Sequence, residues 1–290
     1  MKSSYSSSKV SVIIPNYNYA RYVGDAIRSV LAQTYTNFEI IVVNNGSTDD
    51  SLDILRGFGD HIVLVDQANL GQSGARNSGL AKSTGELFAF LDADDVWEPT
   101  KLEKQISLIR DDTQLIYSGL TKFENESEKI LSVNYPSFRG KCILDFVQNP
   151  GVGIVLGGES TVLFTRELFS QVGEFDTRLS ISAGWDFFRR CSLYTKFDFS
   201  PEILVRYRIH GKNLSLLPTN NVSESRRAFY KLVYDKYYAF HFRQLLLGFL
   251  KLEWSFFKTL ATHRPLMAIR EQLWFPWRFA KFVTFYLRTG

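Results

Sequence analysis

Short apolar runs that alternate with stretches of helical spacing constrain this 290-residue chain more than any other feature. Residues 10–14, 38–43, 62–65 and 87–91 are runs of four to six residues, dominated by Val, Ile, Leu and Phe. Between the first two, Tyr22, Val23, Ala26, Ile27, Val30 and Leu31 recur at the spacing of one helix face. Residues 51–58 and 74–81 offer a helix after the second and third runs. Parallel strands need crossover helices, and read as continuous apolar runs because both their faces are covered. The alternation therefore predicts an α/β fold on a mainly parallel sheet flanked by helices, with right-handed crossovers. A helix over residues 99–109, with Pro99 in its first turn, and a strand over 115–118 extend the pattern. Further along, the sequence predicts a hairpin within 122–133, a strand over 160–165, helices over 166–172 and 185–194, and a strand over 203–209.

The second run, "FEIIVV", stops on Asn44-Asn45-Gly46. Asn-Gly after a strand signals a hairpin. The chain continues instead with Ser47-Thr48-Asp49-Asp50-Ser51, then Leu52, Ile54 and Leu55, which is the chemistry of a helix start. Strand, sharp turn and helix place these residues where open α/β sheets bind ligands, beyond a strand's carboxyl end.

Hydrophobic residues make up 45% of the chain, enough for a sizeable core. Cys142 and Cys191 lie far apart without metal-ligand spacing, and read as two buried thiols in a reducing, cytoplasmic compartment. The opening "MKSSYSSSK" lacks an apolar core and reads as a disordered leader over residues 1–8, not a signal peptide. No stretch reaches the ~20 apolar residues of a membrane span. Charge is uneven: residues 221–290 hold 12 Lys+Arg against 4 Asp+Glu, and 18 of the 43 aromatic residues. A domain boundary is expected near Pro218, between a domain over 9–217 and a helical, basic, aromatic-rich extension over 218–290. In that extension Leu245, Phe249, Leu252, Phe256 and Leu260 form one stripe, with Lys251 and Lys258 off it, and Phe275, Phe279, Phe282 and Tyr286 form another. Such helices suit the inner face of an anionic membrane, or packing on the first domain or on a second subunit of a homo-oligomer. No nucleic-acid recognition module is visible.

Four places carry chemistry. Asp92-Ala93-Asp94-Asp95 follows the run "ELFAFL", and three carboxylates at a strand end favour a hard divalent cation, Mg²⁺ or Mn²⁺. "NLGQSGARNSGLAKSTG" opens a helix with glycines, Gly74 among them, and polar groups; its N–H groups can meet an anion, and Arg76 can pair with a phosphate. Asp186 begins an amphipathic helix, where it caps or acts. His210 follows a strand-like run as a structural ring, a metal ligand or a phosphate contact.

Together these segments resemble the inverting family 2 glycosyltransferases of the GT-A fold, over roughly residues 9–215. "VSVIIPNYNYARYVGDAIRSVLAQTYTNFEIIVV" is similar to the family's opening strand, helix and strand. "NLGQSGARNSGL", "AFLDADDVWEPTKLEKQ", "ESTVLFTRELFSQVGEFD", "GWDFFRR" and "LVRYRIHGKNLS" come after it in the family's order. The resemblance implies transfer of a sugar from a nucleoside diphosphate sugar, with UDP or dTDP donors favoured, to a hydroxyl on a saccharide or lipid-linked acceptor in surface-glycan, lipopolysaccharide or capsule assembly. Pro15, Tyr17, Asn45, Gly74, Arg76, Asp92 and Ala93 would line the nucleotide-sugar site. Asp94, Asp95 and His210 would hold Mn²⁺ or Mg²⁺. Asp186 would be the general base, and Glu159 and Trp185 would face the acceptor, with packing the default alternative for Trp185.

One departure bears on the base. The family usually carries Asp-Asp-Gly-Ser where this chain has Asn44-Asn45-Gly46-Ser47. An amide at 45 keeps an acceptor while losing the charge. The competing readings are a non-catalytic nucleotide-sugar-binding scaffold and a nucleotidyltransferase; the neutral Pro15-Asn16-Tyr17-Asn18 argues against the latter.

Overall fold

β1 (Val10–Asn16) and β2 (Phe38–Asn45) are joined by α1 (Ala20–Leu31), whose apolar stripe Val23, Ala26, Ile27 and Val30 is buried. The two strands run parallel and in register from Val10 opposite Phe38 to Asn16 opposite Asn44. Gly46 adopts φ 75°, a left-handed turn that bulkier residues resist, and α2 (Ser51–Arg56) comes next instead of a hairpin strand. This is the computed structural model of the chain; it describes residues 5–148, 155, 158–179, 182–211 and 213, with scattered residues between 246 and 279.

The pattern continues through β3 (Val63–Gln67), α3 (Gly71–Lys82), β4 (Leu87–Phe90), the short β5 (Val96–Trp97) and α4 (Lys101–Ile106). Next come β6 (Leu115–Glu124), β7 (Ile130–Asn134), α5 (Ile143–Gln148) and a 3₁₀ turn at Gly158–Thr161. β8 (Leu163–Thr165), α6 (Arg166–Val172), α7 (Ala183–Cys191) and β9 (Phe197–Ile209) complete the described elements. One sheet has the order β3-β2-β1-β4-β8-β6-β9-β5, with β7 added along β6. From β3 to β4 it is parallel, as the alternation predicts. Beyond β4 it is mixed: β8 is antiparallel to β4 and β6, β5 to β9 and β7 to β6, whereas β6 and β9 are parallel. The connection from β3 to β4 steps back past β1, so β1 and β4 flank a topological switch point, the usual ligand crevice of such sheets.

Several elements differ from their sequence-based bounds. β6 and β9 are longer, because their ends are stabilised by pairing with each other, which no local pattern records. The strand expected over 160–165 begins as a 3₁₀ turn. Tyr5–Ser8, placed in a disordered leader by the sequence, are folded: Tyr35 Oη donates to Ser8 O at 2.6 Å and Asn37 Nδ2 to Ser7 O at 2.9 Å. Cys142 and Cys191 are buried thiols and form no disulfide.

The chain divides into two compact units, residues 1–142 with 153–211, and residues 143–152 with 212–290. In the second, Arg278 pairs with Glu253 at 2.7 Å and the Phe275 and Phe279 rings stack. Most residues of the two expected apolar stripes lie outside the described residues. Among the described residues no helix is long and apolar enough to cross a membrane.

Candidate active site

The carboxyl ends of β1 and β2 are laced together by their own loops. Asn18, at φ 57°, accepts at Oδ1 from Thr48 N at 2.7 Å, and its N–H donates to Ser47 Oγ at 3.0 Å. Tyr17 is thereby left 45% exposed at the rim, beside a half-buried Pro15. Asn44 is buried and donates to Asp66 Oδ1 on β3 at 2.8 Å.

Asn45, expected to present a free acceptor to a base, is buried and fully engaged. Its Oδ1 accepts from Gln67 Nε2 at 2.9 Å and Leu70 N at 3.0 Å. Its Nδ2 donates to Asn69 Oδ1 and Gly71 O, both at 3.2 Å. The amide ties β2 to the loop before α3; in this arrangement no acceptor on it is left for a nucleobase.

α3 starts at Gly71, three residues before its expected start; its N-cap residue Leu70 lends no side-chain cap, and Asn69 Oδ1 accepts from Gly71 N at 2.9 Å. Gly74 and Arg76 lie within it, and Arg76 is almost wholly buried. The guanidinium spans two carboxylates: Nη2 donates to Asp92 Oδ1 at 3.1 Å, and Nη1 lies 2.7 Å from Glu159 Oε1. Arg76 Nε and Nη1 make no hydrogen bond of good geometry. A guanidinium buried in α3, beside the aspartate beyond β4 and with N–H groups that lack good partners, has the chemistry to take anionic or hydroxyl oxygens. Burial pushes Asp92 up to about 6, with Arg76 pulling it down and Glu159 and Asp94 adding to the rise.

The acidic segment beyond β4 separates by orientation. Asp94 Oδ2 lies 2.9 Å from His210 Nε2, just past the end of β9. The His210 ring stacks on Tyr22 at 5.0 Å and meets Tyr19 edge-on at 5.6 Å. Burial, then Asp94 and Asp92, raise the Tyr19 phenol, so it stays neutral beside this acidic corner. The carboxylate oxygen is a hard donor of the kind Mn²⁺ and Mg²⁺ take, and the imidazole nitrogen beside it fits Mn²⁺ better than the oxygen-loving Mg²⁺. Among the described residues no three His, Cys, Asp or Glu side chains converge on one point.

Asp95, expected to be a metal ligand, faces inward instead. It is buried, accepts from Ser160 Oγ at 2.6 Å and from Arg208 N at 3.2 Å, and burial raises its carboxyl well above the usual range. Ala93 is buried between the acids. Arg208 donates from Nε to Asp94 O at 2.9 Å and from Nη2 to Asp25 Oδ2 at 3.3 Å. Ser160 also accepts from Asp92 N at 3.0 Å. Ser160 and Arg208, which sequence reasoning missed, thus fix the backbone that aims Asp92 and Asp94.

Asp186, expected to be the base, lies in the first turn of α7 with no solvent exposure. Its Oδ1 accepts from Arg189 Nη2 at 3.0 Å and its Oδ2 from Arg190 Nε at 2.9 Å. Neither oxygen is presented to an incoming hydroxyl; the residue anchors its own helix. Trp185 is buried and packs instead of offering an acceptor platform. Glu159 is buried beside Arg76 and reaches the start of α7.

The glycosyl transferase family 2 model matches residues 11–170, which span β1 to α6. The chain belongs to this family. An uncharacterized glycosyltransferase of Rickettsia prowazekii, RP339, is 35% identical over 231 residues, covering 77% of this chain and 71% of the relative. An uncharacterized glycosyltransferase of Nostoc sp., alr2836, is 36% identical over 224 residues, or 74% and 69% of the two chains. Among solved structures, S. aureus TarS 1-349 in complex with UDP-GlcNAc aligns with TM-score 0.69 and 18% identity, covering 91% of this chain and 78% of that one. The mannosyltransferase PcManGT from Pyrobaculum calidifontis, in complex with GDP-Man and Mn²⁺, aligns with TM-score 0.62 and 16% identity over 97% and 86%. The fold of this family 2 glycosyltransferase is accordingly GT-A, a mixed curled sheet with flanking helices.

Proposed function

We propose that the protein transfers a glycosyl group, with inversion, from a nucleoside diphosphate sugar to a hydroxyl acceptor. The observation that carries this is the corner at the switch point. There Arg76 and Asp92 meet at the end of β4, and Asp94 meets His210 two residues further on. A diphosphate needs opposing charge, which Arg76 and a cation held by the carboxylates would supply, and a donor sugar needs oriented hydrogen-bonding groups, which this corner offers. The solved neighbours TarS and PcManGT carry UDP-GlcNAc and GDP-Man with Mn²⁺, which supports the class of donor. Asp94 and His210 would hold Mn²⁺ or Mg²⁺, with the rest of its coordination from diphosphate and water. A bound cation would offset the charge that gathers on the leaving nucleoside diphosphate. Arg76 orients donor oxygens, Tyr17 and Pro15 offer a rim for the base, and a carboxylate takes the acceptor proton. A single in-line displacement of this kind inverts the anomeric centre.

The acceptor class we infer is a saccharide or lipid-linked glycan in surface-polysaccharide assembly; a Bacillus subtilis relative, 41% identical over 105 residues, is named as a putative teichuronic acid biosynthesis glycosyltransferase. The setting we infer is cytoplasmic, at the inner face of the membrane. Leu250 and Trp254 are exposed one helical turn apart, with exposed Lys251 and Lys258 beside them, which suits an anionic interface. The test of activity is nucleoside diphosphate release from UDP-GlcNAc, UDP-glucose, dTDP-glucose and GDP-mannose with Mn²⁺ or Mg²⁺. Release from one of them is the expected outcome. The engaged Asp186 favours a second reading, a scaffold that binds donors without turning them over; thermal stabilisation without release would select it.

A further inference from the structure

We propose that Glu159, and not Asp186, is the general base of the transfer; this rests on the transferase reading above. Glu159 sits in the 3₁₀ turn Gly158–Thr161, whose next residue, Ser160, also supports Asp92 and Asp95. Its Oε1 lies 2.7 Å from Arg76 Nη1, and Arg76 reaches Asp92 through its other terminal nitrogen. Glu159 is therefore one guanidinium away from the corner assigned to the donor. Its other oxygen, Oε2, has no hydrogen-bond or ion-pair partner among the described residues. By contrast, Asp186 and Asp95 have both oxygens taken, and Asp94 faces His210.

The second observation comes from α7. Gly184 is its second residue, and a Cβ there would lie 2.6 Å from Glu159 Oε1 and 3.2 Å from Oε2. The Glu159 carboxylate thus fills the space of a missing side chain on the first turn of α7. The helix that carries Asp186 has a carboxylate from another segment against its first turn. Among the described residues, the charged groups recorded against Glu159 are Arg76 from α3 and, beyond it, Asp92 after β4, and Gly184 of α7 lies against its carboxylate. In the step, the acceptor O–H gives its proton to Glu159 Oε2 and its oxygen bonds to the anomeric carbon. The bond from that carbon to the diphosphate oxygen breaks, and the nucleoside diphosphate leaves with the electron pair.

The test is steady-state hydrolysis of the four nucleotide sugars named above with Mn²⁺, water serving as acceptor, alongside donor affinity and Tm. Glu159→Gln is expected to lower kcat by about 100-fold or more while donor affinity stays within about threefold, and to remove the acid limb of the kcat–pH profile. Glu159→Asp should recover part of the rate. Gly184→Ala is the independent variant: an Ala suits a helix, and only the far end of a flexible side chain must move. It should keep Tm and donor affinity but lose about tenfold in kcat, because the carboxylate is displaced. Wild-type rates in Glu159→Gln would overturn the assignment. So would a joint fall of kcat and donor affinity with the acid limb intact, which marks a mere counter-ion of Arg76. A wild-type chain that binds none of the four donors would instead overturn the transferase reading, and the assignment of Glu159 with it.

Discussion

Asn45 shows how a single amide can hold a site together without touching its ligand. All four of its hydrogen bonds go to Gln67, Asn69, Leu70 and Gly71. A carboxylate could accept from Gln67 and Leu70 but has nothing to donate to Gly71 O, and would face that carbonyl with a like partial charge. Asn45→Asp is therefore expected to cost about 1–3 kcal/mol of stability and to weaken donor binding through the loop. A fall in Tm with a raised KM is the expected result. An unchanged Tm with a changed preference among nucleotides would return Asn45 to the role of base reader. At Asp186 the signal was present in the sequence. Arginines at i+3 and i+4 are the neighbours of an aspartate on one helix face, and Arg189 and Arg190 occupy both places. At Glu159 only half of it was: the small residue at 184 is visible, but nothing local says which side chain fills its space.

At the scale of elements, legibility tracks the range of the interactions that make each element. β1, β2 and β4 are apolar runs buried on a parallel sheet, so their own composition declares them, and the edge strand β3 keeps an apolar start though it is only partly buried. β9 begins with "FDFSPE", a mixed stretch including Pro201, and exists as a strand because β6 pairs along it. The acidic segment was legible as a site because it comes directly after β4. Which of its carboxylates turns outward was not legible, since Ser160 and Arg208, from distant segments, draw Asp95 inward. The second unit offers one element-scale prediction. If the Leu250, Lys251, Trp254 and Lys258 surface meets a membrane, the full chain should co-sediment with anionic liposomes and be released by salt. Replacing Trp254 with Glu should abolish the interaction without changing catalysis on a water-soluble acceptor. Equal sedimentation of the two proteins would remove the membrane reading.

At the scale of the whole molecule, the site end and the opposite end of the sheet carry opposite electrostatics. Burial raises Asp92 and Asp95 at the site. Near the amino ends of β1 and β2, burial also works against the Glu39 charge. Hydrogen bonds from Lys9, Ser11 and Thr84 outweigh it and hold that carboxyl down to about 2. A carboxyl depressed in the folded state stabilises it fully above the unfolded value near 4.5, and that contribution disappears as pH falls towards 2. The wild-type Tm should therefore fall between pH 4.5 and 2 more steeply than that of Glu39→Gln, which should already be less stable at about pH 7. Parallel Tm–pH curves would contradict the placement of this cluster.

The most direct measurement is calorimetric titration of UDP, dTDP and GDP into the wild-type chain, Asp94→Asn and His210→Ala, each with and without Mn²⁺. If the corner between β4 and β9 is where diphosphate and cation meet, Mn²⁺ should tighten one of the three nucleotides by about tenfold or more in the wild type, a difference of about 1.4 kcal/mol. Both variants should lose that enhancement while remaining folded. The same enhancement in the variants, or no nucleotide binding by the wild type, would contradict the account.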